Sequence, residues 1–135
     1  MSLFQSVKQL FGKAASVPAA SPVSHHEPEP LVVPEVTASE LMAARRNGGA
    51  AVLLDCREHY ERRQGYIPGS AHIVMREIPD HLDELAKDAD IVVVCAHGNR
   101  SYSVAGYLIQ NGFHARSLKG GTAEWQARGG ELEKR

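Results

Sequence analysis

The chain has 135 residues, a mass of 14.7 kDa, and 15 Lys plus Arg against 16 Asp plus Glu, a formal net charge of -1. That balance excludes the strong positive excess of a nucleic-acid binder, and the longest purely apolar run, Ile91 to Ala96, is far short of the roughly 20 residues of a membrane span. Two cysteines cannot build a disulfide scaffold, so the core must come from packing within a single domain.

Leu3, Phe4, Val7, Leu10 and Phe11 recur at helical spacing, which predicts a short amphipathic helix over residues 2–13. Its bland reading is a frayed tail. The alternative is a contact with a protein partner or a membrane surface, although only Lys8 and Lys13 supply positive charge. From Ala14 to Val33 the chain is rich in Ala, Ser and Pro and has no period, as in a flexible linker. Five of the 7 prolines lie between Pro18 and Pro34, whereas eleven of the 12 glycines follow Asn47. This contrast divides the chain into an N-terminal segment, 1–33, and a folded domain, 34–135.

Thr37-Ala-Ser-Glu40 matches a capping box, so a helix is expected to about Asn47, ended by Gly48-Gly49. Ala50 to Asp55 reads as a short apolar strand, Glu58 to Gln64 as a helical turn, and Gly65 to Gly69 as a loop. Pro79 to Lys87 reads as a helix with Leu82 and Leu85 inward. Ile91 to Val94 is β-branched throughout, as in a strand covered on both faces. Ser101 to Asn111 is expected to be a helix burying Val104, Tyr107 and Leu108. Phe113 to Leu118 is then a last strand and Thr122 to Arg128 a last helix. Strands alternating with helices imply an α/β fold with a parallel sheet covered on both sides.

One strand-to-helix junction stands out. Ile91-Val-Val-Val94 runs directly into Cys95-Ala-His-Gly-Asn-Arg100-Ser101. Unpaired amides and the helix dipole favour a thiolate at such a place. Gly98 lets the loop curl so that successive amides point inward, and Arg100 offers two parallel hydrogen bonds to an oxyanion. Each residue also has a plainer reading. Cys95 could be a small hydrophobe after a valine strand, Arg100 a surface arginine paired with an acid, and Ser101 a helix cap. His97 reads as a tolerant loop position, because attack by a formed thiolate needs no base. His25-His26 in a linker makes a poor metal site, and no metal or organic cofactor is expected. His72 and His114 read as loop and strand-surface residues, and Trp125 with Gly120-Gly121 as packing and turn geometry.

These residues resemble the rhodanese family of sulfurtransferases. The match comprises Cys95-x-x-Gly98-x-Arg100-Ser101, Leu53-Leu-Asp55-Cys-Arg57 with Glu61, Gly65-Tyr-Ile-Pro-Gly-Ser-Ala-His72, and Gly120-Gly121 ahead of Trp125, in the family's order over about residues 35 to 132. The resemblance implies a parallel sheet of about five strands with helices on both faces, and a persulfide carried on Cys95. It assigns substrate binding to Ala96, His97, Gly98, Asn99, Arg100 and Ser101, and a supporting role to Asp55 and Arg57. The family comparison also separates the loop from that of phosphatases, which have five residues between cysteine and arginine where this chain has four. The expected reaction moves sulfur from thiosulfate or a similar donor to a thiophilic acceptor, cyanide or a thiol. The alternatives are an idle module that binds a partner protein, and a phosphatase or arsenate reductase. A monomer in a reducing cytoplasm is expected, as no export signal is visible. Cys56, beside Asp55, is a candidate resolving thiol only if its side chain shares a face with Cys95.

Overall fold

The computed structural model describes residues 31–134; the expected amphipathic segment over residues 2–13 and most of the linker lie outside them. Five strands form one sheet: β1 (Glu35–Val36), β2 (Val52–Asp55), β3 (Ala71–His72), β4 (Asp90–Val94) and β5 (His114–Leu118). Their order is β1-β5-β4-β2-β3, and every pairing is parallel. Among the described residues, three α-helices lie between strands, α1 (Ala38–Arg46), α2 (His59–Arg63) and α3 (Asn99–Gln110), and α4 (Gly121–Ala127) follows β5.

The central strand β4 shows why both faces are covered. Ile91, Val93 and Cys95 point into one core with Leu54, Ile78, Val104, Ala105 and Leu108. Val92 and Val94 point into the other, with Leu41, Ile67, Leu118 and Trp125. Alternation along a strand puts neighbours on opposite faces, so an unbroken apolar run supplies both layers. Helix α1 starts where the capping box predicts: the Glu40 amide donates to Thr37 Oγ1 and the Thr37 amide to Glu40 Oε1.

The structure departs from the sequence reading at several boundaries. The helix expected over Pro79–Lys87 is instead a 3-10 helix, Met75–Glu84. Pro79 lies within it and has no amide to bond back four residues, which disfavours an α-helix there. Its Leu82, with Leu85 just beyond, still packs on the first core, half-buried. Strands β1 and β3 were not expected; His72, read as a loop residue, belongs to β3, and its Nε2 lies 2.7 Å from the Arg57 carbonyl oxygen. Val33, assigned to the linker by composition, is buried in the first core. The bare Cα of Gly106 on α3 gives it room. Tyr107, expected inside, is half-buried. Among the described residues, no helix is long and apolar enough to cross a membrane.

Candidate active site

The strand β4 ends at Val94, and the next residues curl beneath the start of α3. Gly98 caps that helix with φ at +100°, a left-handed conformation that a side chain rarely adopts. A Cβ there would stand 3.0 Å from the Gly120 amide nitrogen. The curl turns amides onto the sulfur: the Gly98 N–H donates to Cys95 Sγ at 3.1 Å and the Ser101 N–H at 3.2 Å. The Ser101 hydroxyl lies 3.3 Å from the same sulfur.

The loop's carbonyls point the other way, and the Gly120-Gly121 turn is what holds them. The Thr122 amide donates to the Cys95 carbonyl at 2.9 Å, and the Ala123 amide to the Ala96 carbonyl at 3.0 Å. Gly121 has φ at +60°, and a Cβ on it would fall 2.3 Å from the Cys95 carbonyl oxygen. A glycine is therefore required for α4 to come close enough to orient the loop. With carbonyls held outward, the N–H groups face the thiol.

Electrostatics follow from that arrangement. Burial works to raise the Cys95 thiol, which is 1% exposed. The Ser101 hydroxyl and the amides of Ser101, Gly98 and His97 outweigh it, and the thiol lies below its ordinary range. Cys56 is the reverse case. It is equally buried and has no such cradle; burial first, then the neighbouring Cys95 and Asp55 charges, push it up to about 12. Both thiols are free and share the same core. The condition set for Cys56, a side chain on the same face as Cys95, is therefore met, because β2 and β4 run in register and parallel, so residues that face each other point alike. A thiol that stays protonated is nevertheless a weak nucleophile.

Ser101 does not cap α3, as its plainer reading held; Gly98 does, and Ser101 is turned onto the sulfur from the first turn. Of the remaining loop residues, His97 and Asn99 are exposed, Ala96 is half-buried and Gly98 is buried. Arg100 is not aimed into the loop. Its two terminal nitrogens donate to the two carboxylate oxygens of Glu61, each at 2.8 Å. That is its plainer sequence reading, an arginine paired with an acid. Holding an oxyanion with the same two donors requires the pair to open.

Glu61 is held well below the usual carboxylate value of 4.5, to about 2, chiefly by the hydrogen bonds from Arg100. A carboxylate whose folded value is depressed adds stability above its unfolded value, and loses it as pH falls through the folded one. Glu61→Gln is therefore expected to lower the denaturation midpoint at pH 7, and the gap from the parent should narrow as pH falls from about 4.5 toward 2. Parallel denaturant titrations at the two ends of that window check this; a gap that stays constant removes the ion pair as its source.

Asp55 and Arg57 form a brace at the end of β2. Asp55, 1% exposed, accepts from the Arg57 amide and Nε at 3.0 Å, from Arg57 at 2.8 Å, and from Arg62 at 3.2 Å. Arg57 also donates to the Gly65 carbonyl at 2.7 Å. The hydrogen bonds of both side chains go to each other, to Arg62 and to the Glu61 and Gly65 carbonyls, not to Cys95 or residues 96–101, so their assigned supporting role is structural in this geometry. The residue that sequence reasoning missed is Ser117 on β5, fully buried, with its hydroxyl 2.7 Å from that of Ser101. The signal was present: a serine stands where strand alternation asks for an apolar side chain. Among the described residues, no cluster of His, Cys, Asp or Glu could hold a metal ion.

The model of the rhodanese-like domain matches residues 37–128. The chain belongs to the rhodanese-like family. The thiosulfate sulfurtransferase GlpE of Pseudomonas aeruginosa PAO1 is 41% identical over 91 residues, covering 67% of this chain and 82% of that protein. A sulfurtransferase of Allochromatium vinosum is 33% identical over 99 residues, covering 73% and 92%. Among solved structures, a rhodanese-like domain protein from Staphylococcus aureus superposes with a TM-score of 0.70 at 35% identity, covering 76% of this chain and 99% of its own. The rhodanese-like architecture expected from the four sequence blocks is the one the structure has.

Proposed function

We propose that this rhodanese-like protein is a sulfurtransferase that carries sulfane sulfur on Cys95, moving it from thiosulfate or a similar donor to a thiophilic acceptor. The observation that carries the reading is the pair of amide hydrogen bonds from Gly98 and Ser101 to a single sulfur. A buried thiol kept for packing needs no such donors; a thiolate does. The names of the relatives support the donor class.

The step balances without a cofactor. The Cys95 thiolate attacks the outer sulfur of thiosulfate, the donor's S–S bond breaks, and sulfite leaves with the electron pair. The outer sulfur, now the anionic end of a persulfide, is stabilised by inward-facing amides fixed before the reaction. An acceptor such as cyanide then attacks that sulfur, thiocyanate departs, and the thiolate returns. Two easier displacements replace one hard transfer. Cys95 is 1% exposed, so a donor reaches it only as the groups covering it move aside.

Intact-mass measurement after treatment with thiosulfate is expected to show a gain of about 32 Da, one sulfur, that maps to Cys95 and is removed by cyanide. A protein whose mass stays unchanged under turnover conditions overturns the covalent route.

A further inference from the structure

Ser117 occupies a position built for an apolar side chain. On β5 the side chains of Ala115 and Ser117 face the same way, and Ala115 lies in the core with Val93, Cys95, Val104 and Ala105. A hydroxyl in such surroundings costs free energy unless it is hydrogen-bonded. The bond it makes is to Ser101, at 2.7 Å, and Ser101 in turn touches Cys95 Sγ at 3.3 Å. Ser101 and Ser117 are both fully buried.

Each hydroxyl has one hydrogen, and this dictates how the chain of three atoms can run. A thiolate only accepts. When Cys95 is ionised, the Ser101 hydrogen must lie on the sulfur, and the Ser101 oxygen is left to accept from Ser117. When Cys95 is a neutral thiol, the order reverses: sulfur donates to Ser101, and Ser101 donates to Ser117. Bonds that end on a charge are roughly twice as strong as neutral ones and polarise their neighbours in a low-dielectric interior. The second serine therefore strengthens the ionised arrangement more than the neutral one.

We propose that Ser117 is a positioning residue for the reacting thiol: it donates to Ser101 Oγ and so keeps the Ser101 hydrogen directed at Cys95 Sγ. This rests on the reading of Cys95 as the reacting group, but it is tested without any sulfur transfer. The measurement is the pH dependence of iodoacetamide alkylation, followed at the Cys95 peptide by mass.

The wild-type midpoint is expected below that of an ordinary thiol. Ser117→Ala should move it upward, making alkylation at pH 7 about threefold slower. Ser117→Thr, which keeps the hydroxyl, should restore it. In a Ser101→Ala background, removing Ser117 should have no further effect, because its only route to the sulfur is gone. Ser117→Cys keeps the volume, gives up the strong donor, and serves the same test if the alanine variant does not fold. A depressed wild-type midpoint that Ser117→Ala leaves in place overturns the role of Ser117 and spares the sulfurtransferase reading. So does an equal shift with and without Ser101. An ordinary wild-type midpoint overturns both.

Discussion

Cys95→Ser is expected to abolish transfer of sulfur from thiosulfate to cyanide, with a loss of at least about a thousandfold. The substitution keeps the shape of the side chain and the amides of Gly98 and Ser101 that face it. What it removes is an atom that ionises near neutral pH and can bond to sulfane sulfur. An alcohol at this position keeps its proton, and the loop that lowers a thiol cannot lower it far enough. Cys56→Ala is the matched control. Cys56, pushed up to about 12 chiefly by burial, is a neutral thiol at neutral pH and has no cradle of donors like that of Cys95, so its removal should leave transfer within a few-fold of the parent. Thiocyanate formation measured on the three proteins decides the matter. Substantial transfer by the Cys95 variant places the chemistry elsewhere. Equal inactivity of wild type and variant favours a module that only binds. Cys95-dependent hydrolysis of an aryl phosphate without sulfur transfer favours a phosphatase.

The parts of the site that sequence disclosed are those whose signal is local. Ile91 to Val94 declares a buried strand by four β-branched residues in a row, and Gly98, three residues after Cys95, announces a sharp curl before a helix. Thr37 and Glu40 mark a helix start because each satisfies the other's free amide. What sequence hid depends on pairing across the fold. Strands β1 and β3 are two residues each, too short for any period, and exist because β5 and β2 offer them partners. Glu61 and Arg100 are 39 residues apart, and nothing in either neighbourhood reveals that their two forks meet. Ser117 breaks the apolar alternation of β5, but its partner, Ser101 on α3, is supplied only by the fold. Pro79, by contrast, carried a local warning: a proline inside a helical pattern argues against an uninterrupted α-helix, and a tighter helix replaced it.

Asp55→Ala should be the most destabilising single change outside the apolar core, by about 4 kcal/mol. The reason is what it leaves behind. The Arg57 side chain is 6% exposed, and its Nε and one terminal nitrogen donate to the Asp55 carboxylate. With Asp55 gone, a guanidinium remains in a buried site, with the Gly65 carbonyl as its short remaining acceptor. For a domain of this size each kcal/mol is worth several degrees, so the melting temperature should fall by roughly 15 °C or more. The double variant Asp55→Ala with Arg57→Ala should be less destabilised than the sum of the two singles, because both charges leave together. Arg62, a second donor to Asp55, is more exposed and can turn to water. A loss below about 1 kcal/mol for Asp55→Ala would mean that solvent reaches Arg57 as soon as its partner is removed. The consequence for the site runs through α2. Arg57 holds the Gly65 carbonyl just beyond that helix, and Glu61 on α2 reaches Arg100 of the active loop. Loosening the brace should therefore release the Arg100 fork from Glu61 before it disturbs the Gly98 and Ser101 amides, which are held independently by α3 and the Gly121 turn.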